Sequence, residues 1–191
     1  MSRQLDSTGL KRLHRAWRRR TTGRVALVLD AVQSPFNVGS ILRTAAAFRV
    51  EHLWLAGDAT PPTHQKTAKT ALGSERYVDW TTCPTAAAAI AAARAAGFRV
   101  VALELADDAV PLHELAPAPA TCLVIGHEDR GLTPAVLAEC DAIAFLPQLG
   151  KIGSLNVATA TAIALYELRR QEWAPGGGAA GRAGPDEMSG T

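Results

Sequence analysis

Residues 24–56 read RVALVLDAVQSPFNVGSILRTAAAFRVEHLWLA, and the order of the apolar runs in this stretch decides the fold. The five residues Val25-Ala26-Leu27-Val28-Leu29 are all apolar. Such a run leaves no face for water, so it reads as a strand buried on both sides. A turn at Gln33-Ser34-Pro35-Phe36 follows, and Asn37 is the predicted N-cap of a helix over residues 38–48. A second apolar strand is predicted over residues 52–56. Strand, helix and strand within about thirty residues make a βαβ unit, and hence a parallel sheet with right-handed crossovers.

The same reading extends in both directions. Downstream, residues 58–74 are polar and predict a long loop with one helical turn, and residues 77–80 a strand. An alanine-dominated helix over 85–96 closes at Gly97, followed by strands at 98–103 and 121–125. Thr133-Pro134 opens a short helix to residue 140, residues 142–146 form the last strand, and Ser154 caps a long helix to about residue 173. The fold class is therefore α/β, a parallel sheet with flanking helices, in one domain over residues 24–173. Residues 174–191 are Gly, Ala and Pro with scattered charges and predict a disordered tail. Upstream, residues 1–23 hold a basic amphipathic helix. Leu10, Leu13 and Trp17 share one face; Lys11, Arg12, Arg15, Arg18 and Arg19 cover the rest.

Composition narrows the class of partner. The chain has 191 residues, 48% hydrophobic and 20% charged, which excludes collagen, coiled coil and wholesale disorder. A net charge of +2 conceals an asymmetry: the first 24 residues carry eight Lys/Arg against the single acid Asp6, and the rest is mildly acidic. Such a head suits a polyanion, or is simply a solvated helix. No apolar run reaches the ~20 residues of a membrane span, and no apolar stretch follows the basic head as in a secretory signal. Cys83, Cys122 and Cys140 lie far apart without a C-x-x-C, which points to a reducing compartment, the cytoplasm, and to no zinc site.

The first βα turn lacks G-x-G-x-x-G and the P-loop pattern, and no G-x-S-x-G elbow occurs. His127-Glu128-Asp129 are consecutive, and consecutive side chains rarely converge on one ion, so no metal is expected. Three stretches carry unusual polar residues just after strands. The first runs from Asn37 to Thr44 and includes Arg43, whose guanidinium suits a phosphate or an oxyanion. The second runs from Ile125 to Leu132, where Gly126 ends a buried strand and lets a ligand approach the backbone. The third is LPQLGKIGSLN from Leu146 to Asn156, a Gly-rich loop entering a helix N-terminus, which favours anions and backbone contacts. Taken singly, Arg43 reads as a surface ion-pairing residue, Gly126 as a turn glycine and Asn156 as a local backbone hydrogen bonder. Together, at the strand ends of one parallel sheet, they read as a common site.

The strings NVGSILRTAAAF, IGHEDRGL and LPQLGKIGSLNVATATAIALYELRRQ resemble the signature of the SPOUT superfamily of RNA methyltransferases, in its TrmH-like 2′-O-ribose branch. The resemblance covers residues 25–171. It implies a C-terminal deep trefoil knot, S-adenosylmethionine bound in the knotted loops, and an active site built across a homodimer. It implies that Leu103, Gly126, Leu146, Ser154, Leu155 and Asn156 surround the cofactor. Arg43 corresponds to the catalytic arginine, with Asn37 and Glu128 as its companions. It also implies RNA contacts from Lys66 and Lys69 in a variable loop. An arginine hardly ever loses its proton, so Arg43 is expected to stabilise the developing alkoxide rather than act as base.

The substrate expected is structured RNA, with tRNA favoured over rRNA because the region ahead of the domain is short. Arg12, Arg15, Arg18 and Arg19 are expected to hold that RNA over the site. The alternatives are an rRNA substrate, a non-catalytic RNA-binding module, and a doubly wound small-molecule nucleotide binder, which the missing Gly-rich turn disfavours. Leu155, Ala158, Ala162, Leu165 and Leu168 form a stripe that suits either a dimer interface or the core of a monomer.

Overall fold

The computed structural model describes residues 3–174. The tail predicted over 174–191 lies outside the described residues, apart from Ala174. Seven parallel strands are arranged in the order β3-β2-β1-β6-β4-β7-β5. They are β1 (Arg24–Asp30), β2 (His52–Ala56), β3 (Asp79–Cys83), β4 (Arg99–Leu103), β5 (Val110–Pro111), β6 (Ala120–Ile125) and β7 (Ala142–Phe145). The helices are α1 (Ser7–Arg19), α2 (Pro35–Ala47), α3 (Gln65–Ala71), α4 (Ala86–Ala95), α5 (Pro134–Ala138) and α6 (Val157–Trp173).

The apolar runs explain the order. β1 pairs with β2 on one side and β6 on the other, and every residue of β6 is buried. Because side chains alternate across a strand, each apolar run feeds two cores. Leu27, Leu29, Leu53, Leu55, Val101, Leu123 and Ile125 pack under α2 and α6, while Ala26, Val28, Trp54, Val100, Cys122 and Val124 pack under α4. The chain order reverses beside β1: β2 and β3 lie to one side, β6 and β4 to the other. In open α/β sheets, ligand sites form at the carboxyl ends of strands flanking such a reversal.

Several boundaries differ from expectation. Asn37 does not cap α2. Ser34 does, accepting from the Asn37 N–H, with Pro35 in the first turn. A Ser-Pro pair already supplies the acceptor and the preset φ, so the Asn37 side chain is free for other bonds. Ser154 likewise does not cap α6; Asn156 does, its Oδ1 accepting from the Ala158 and Thr159 N–H groups. The 58–74 segment holds α3 rather than one turn, because Thr67 and Ala71 bury against α2. Gly39 permits that approach: a Cβ there would meet Thr70 Cβ at 2.6 Å and the Thr67 carbonyl at 2.8 Å. Tyr77 ends a 3-10 turn (Ser74–Tyr77), and the strand starts at Asp79. The α6 stripe predicted for packing is buried within the protomer at Ala158 and Leu165, and outside the stripe α6 exposes Ile163 and Tyr166.

The N-terminal helix forms with Asp6 as N-cap. No residue of α1 is buried; its anchor is Trp17 against Trp173 at the far end of α6, with ring centroids 4.9 Å apart. The link behind it is firmly held. Arg169 is buried and donates to the Phe48, Arg49 and Gly23 carbonyls, and Glu172 accepts from the Gly23 N–H at 2.7 Å.

Candidate active site

At the carboxyl ends of β4, β6 and β7 lies a cavity of about 290 Å³. Leu103, Gly126, Leu146, Ser154 and Leu155 line it, as expected, together with Glu128. Ile125, Val157 and Ala160 add apolar wall, and Glu104 and Asp129 add carboxylates beside His127 and Arg130. The chain wraps the cavity closely. A Cβ on Gly126 would lie 2.5 Å from the Gly131 carbonyl carbon and 2.7 Å from the Leu132 nitrogen. Gly126 thus lines the cavity, and the backbone that comes closest to it is the protein's own at residues 131–132.

A hydrogen-bonded chain joins three loops beside this cavity. Glu128 Oε1 accepts from the Ser34 N–H at 2.9 Å and the Asn37 side-chain amide at 3.0 Å; Oε2 accepts from the Gln33 N–H at 3.1 Å. The Asn37 Oδ1 in turn accepts from the Asn156 Nδ2 at 3.0 Å. Asn156 thus caps α6 with its oxygen and reaches α2 with its nitrogen. The three residues come from three separate sequence stretches and act as one brace. Neither Asn37 nor Asn156 lines the cavity; they hold the loops that do.

Partial burial raises the Glu128 pKa, but the Asn37 amide and the Ser34 and Gln33 N–H groups outweigh it, and the carboxyl lies below its usual range. Glu128 is therefore an anion at neutral pH and a poor store for a proton. A depressed folded pKa adds stability that is complete above the unfolded value of about 4.3 and is lost as pH falls through the folded one. Unfolding curves from pH 7 to pH 3 should show Glu128→Gln less stable at neutral pH and converging on the parent in acid. A constant gap would remove the charge from the explanation. Asn156→Asp keeps the cap acceptor but removes the donor to Asn37. It should leave the melting temperature within a few degrees and weaken ligand binding in the cavity, measured by calorimetry.

Sequence reading missed two features of the site. Glu104 accepts from the Leu132 N–H at 2.8 Å and so pins the 131–132 backbone. The Gln148 Oε1 is buried without a hydrogen-bond partner, an acceptor in the cavity wall. An unpaired buried acceptor is costly, and a ligand that donates to it removes that cost. Glu104 meets Leu132 across 28 residues of sequence, and no local pattern marks either side chain. Asp30, ending β1, is also raised above its ordinary range, by burial against the opposing pull of Arg130 and His127.

Arg43 stands apart. It lies six residues along α2 from Asn37, about a third of a turn round the helix, and it is exposed and does not line the cavity. Lys66 and Lys69 are exposed on α3, which packs against α2. Arg12, Arg15, Arg18 and Arg19 lie at the other end of the molecule. The 17 residues of α6 carry the chain from Asn156 to the Trp17–Trp173 contact, about 25 Å at the helical rise per residue.

Residues 24–166 match the family model described as SpoU rRNA Methylase. The chain belongs to this family. The SpoU match begins with β1 and ends inside α6, so it contains the cavity and its brace. The Escherichia coli K12 tRNA (guanosine(18)-2′-O)-methyltransferase is 34% identical over 148 residues, 77% of this chain and 63% of that one. An AdoMet-bound rRNA methyltransferase from Sinorhizobium meliloti superposes with a TM-score of 0.73 at 33% identity, over 80% of this chain and 58% of that one. The A. aeolicus TrmH/SpoU tRNA modifying enzyme gives a TM-score of 0.70 at 28% identity, over 85% of this chain and 83% of that one. The chain thus spans less than two thirds of the length of the first two relatives. Among the described residues, no group of three His, Cys, Asp or Glu could hold a metal, and no helix is long and apolar enough to cross a membrane.

Proposed function

We propose that this SpoU-family chain transfers a methyl group from S-adenosylmethionine to a ribose 2′-hydroxyl of structured RNA, with tRNA preferred. The observation that carries this reading is the brace of Glu128, Asn37 and Asn156 beside a cavity at the strand ends. The cavity fits the cofactor's chemistry. Leu103, Ile125, Leu146 and Leu155 offer apolar wall for a heterocycle; Glu104 and Asp129 complement a cation; and Gln148 Oε1 is an acceptor for an amine or hydroxyl. When bound, S-adenosylmethionine supplies a methyl group on a sulfonium centre, activated for displacement.

The chain's own residues then align the attack, and the 2′-hydroxyl proton leaves to a phosphate oxygen of the RNA or to solvent. Glu128, held as an anion by its bonds to Asn37, Ser34 and Gln33, keeps the β1–α2 and post-β6 loops in register. Arg43 stabilises the developing alkoxide with its guanidinium. Its exposed position on α2, away from the cavity of its own protomer, supports a homodimer in which Arg43 serves the partner's site. Phe36, Leu149, Ile152, Ile163 and Tyr166 are exposed apolar residues available to such an interface. The domain is residues 24–173. The post-β7 loop, which returns to α6 across the strand ends, is the segment that would thread the trefoil knot. An enzyme of this kind works in the cytoplasm.

Coverage of the A. aeolicus tRNA modifying enzyme supports tRNA, and the S. meliloti relative supports rRNA as the second reading. Incubating the purified chain with methyl-labelled S-adenosylmethionine and either bulk tRNA or total rRNA decides between them. Faster labelling of tRNA is expected. Labelling confined to rRNA would overturn the preference, and labelling of neither would favour a binding module.

A further inference from the structure

The second large cavity, about 870 Å³, lies between α1 and the amino-terminal edge of the sheet, at the end of the strands away from the methyl-transfer site. One wall is α1, with Leu13, Trp17 and Arg18; the other holds Arg49 and Tyr77. Although α1 faces the body, its apolar stripe is not packed: Leu10, Leu13 and Trp17 remain 44%, 43% and 39% exposed. The helix stands off, anchored by Trp17 on Trp173 and by the Trp173 indole N–H donating to Thr21 Oγ at 2.9 Å.

Charge on this groove is one-sided. From Lys11 to Arg20 the helix has six cations and no carboxylate, and none of the six makes an ion pair among the described residues. Arg49 is exposed on the opposite wall, in the left-handed region at φ 54, and has no carboxylate partner among the described residues either. Behind it lies buried Arg169, balanced by Glu172. Of the carboxylates lining the groove, Glu51 is paired with Arg24 at 2.7 Å, and Asp79 alone is unpaired. A second copy of this chain would bring the same unpaired cations to the groove, whereas a polyanion neutralises them.

The aromatic rings complete the pattern. Tyr77 is 67% exposed, and Arg76 lies 4.9 Å from its ring centroid. Arg20 lies 4.6 Å from the Trp17 ring centroid. A cationic groove interleaved with accessible aromatic rings is what unpaired nucleotides need: phosphates on guanidinium groups and bases stacked on rings.

We propose that the groove between α1 and the amino-terminal edge of the sheet is a second RNA subsite, stacking unpaired bases against Trp17 and Tyr77 and holding phosphates on Arg18 and Arg49. This deepens the reading above and rests on it for the identity of the polymer. It also sets a minimum size for the substrate. The groove and the Asn156 end of α6 are about 25 Å apart, so one RNA must span both, and a short stem-loop carrying only the methylated nucleotide engages one.

The test uses the full chain, the double variant Arg18→Glu/Arg49→Glu, and Tyr77→Ala, which removes an exposed ring. Kinetics on bulk tRNA, binding of a labelled single-stranded oligoadenylate, cofactor affinity by calorimetry and sedimentation are measured on each. The charge variant should raise KM for bulk tRNA at least tenfold and flatten its salt dependence by about two units of log–log slope. Tyr77→Ala should raise KM about fivefold or more. For both, kcat and cofactor affinity should stay within twofold, and oligoadenylate binding should fall in parallel. Unchanged KM and unchanged oligoadenylate binding would overturn the subsite, as would altered sedimentation with intact RNA binding, which makes the groove a protein interface. If the charge reversal lowers folding, Arg18→Ala/Arg49→Ala carries the same comparison. Failure of the methyl-transfer reading is separately visible: the parent would label no RNA, yet oligoadenylate binding would still report on the groove.

Discussion

Replacing Arg43 with alanine should lower kcat for RNA methylation by about 10²- to 10³-fold, the usual loss when one charge-stabilising donor is removed from a transition state. Folding should hardly change, because Arg43 is exposed and lies outside the cavity. Cofactor affinity should hold for the same reason. Lysine at this position keeps a point charge but loses the planar fork, so Arg43→Lys should retain a minor part of the rate. Near-parental turnover in Arg43→Lys would show that charge alone suffices. Mixing Arg43→Ala with a variant inactive only through its cavity should restore part of the activity if Arg43 serves the partner's site. No restoration in mixed dimers would place both groups in one protomer.

The second large effect is structural. Gly126→Ala forces a methyl against the Gly131 carbonyl group at 2.5–2.6 Å and the Leu132 nitrogen at 2.7 Å. Backbone cannot swing aside as a side chain can, so the 131–132 turn must shift, at a cost on the order of 3 kcal/mol. For a chain of this size that is a melting temperature lower by roughly 6–12 °C. The shifted turn also carries cavity wall, so cofactor affinity should drop with stability. Gly153→Ala is the control: nothing lies within 4 Å of a Cβ there, and its melting temperature should match the parent. A Gly126→Ala chain as stable as the control would contradict the packing described.

Local pattern was enough for the parallel sheet. The unbroken apolar runs of β1, β2, β4 and β6 bury both faces, and no other arrangement covers them. The amino-terminal caps were harder. Asn37, Ser34 and Pro35 all suit a helix start, and only the tertiary bonds of Asn37 to Glu128 and Asn156 show why it is not the cap. Ser154 and Asn156 posed a similar choice, and there Asn156 is both the cap, through Oδ1, and the tertiary link, through Nδ2. For the α6 stripe, composition alone could not choose between a partner subunit and the protomer's own core, and the packing of α6 on α2 takes it inward.

The site was legible in its motifs and not in its geometry. Leu103, Gly126, Leu146, Ser154 and Leu155 meet at one cavity as the strings suggested. Glu104 escaped because its bond to Leu132 spans 28 residues of sequence, and Gln148 because only burial sets it apart from the rest of its stretch. The α1 arginines are expected to hold RNA over the site. The helix instead sits at the opposite end of α6, which turns an expectation about one contact into one about the length of the RNA.

Methyl transfer to the ribose can be read from the labelled product itself. RNA labelled by the purified chain from methyl-labelled S-adenosylmethionine is hydrolysed in alkali and the products are identified by mass spectrometry. A methyl on the 2′-oxygen removes the internal nucleophile for strand cleavage, so label is expected in an alkali-resistant dinucleotide that yields a 2′-O-methylnucleoside. Label recovered on a base, in alkali-sensitive mononucleotides, would contradict it.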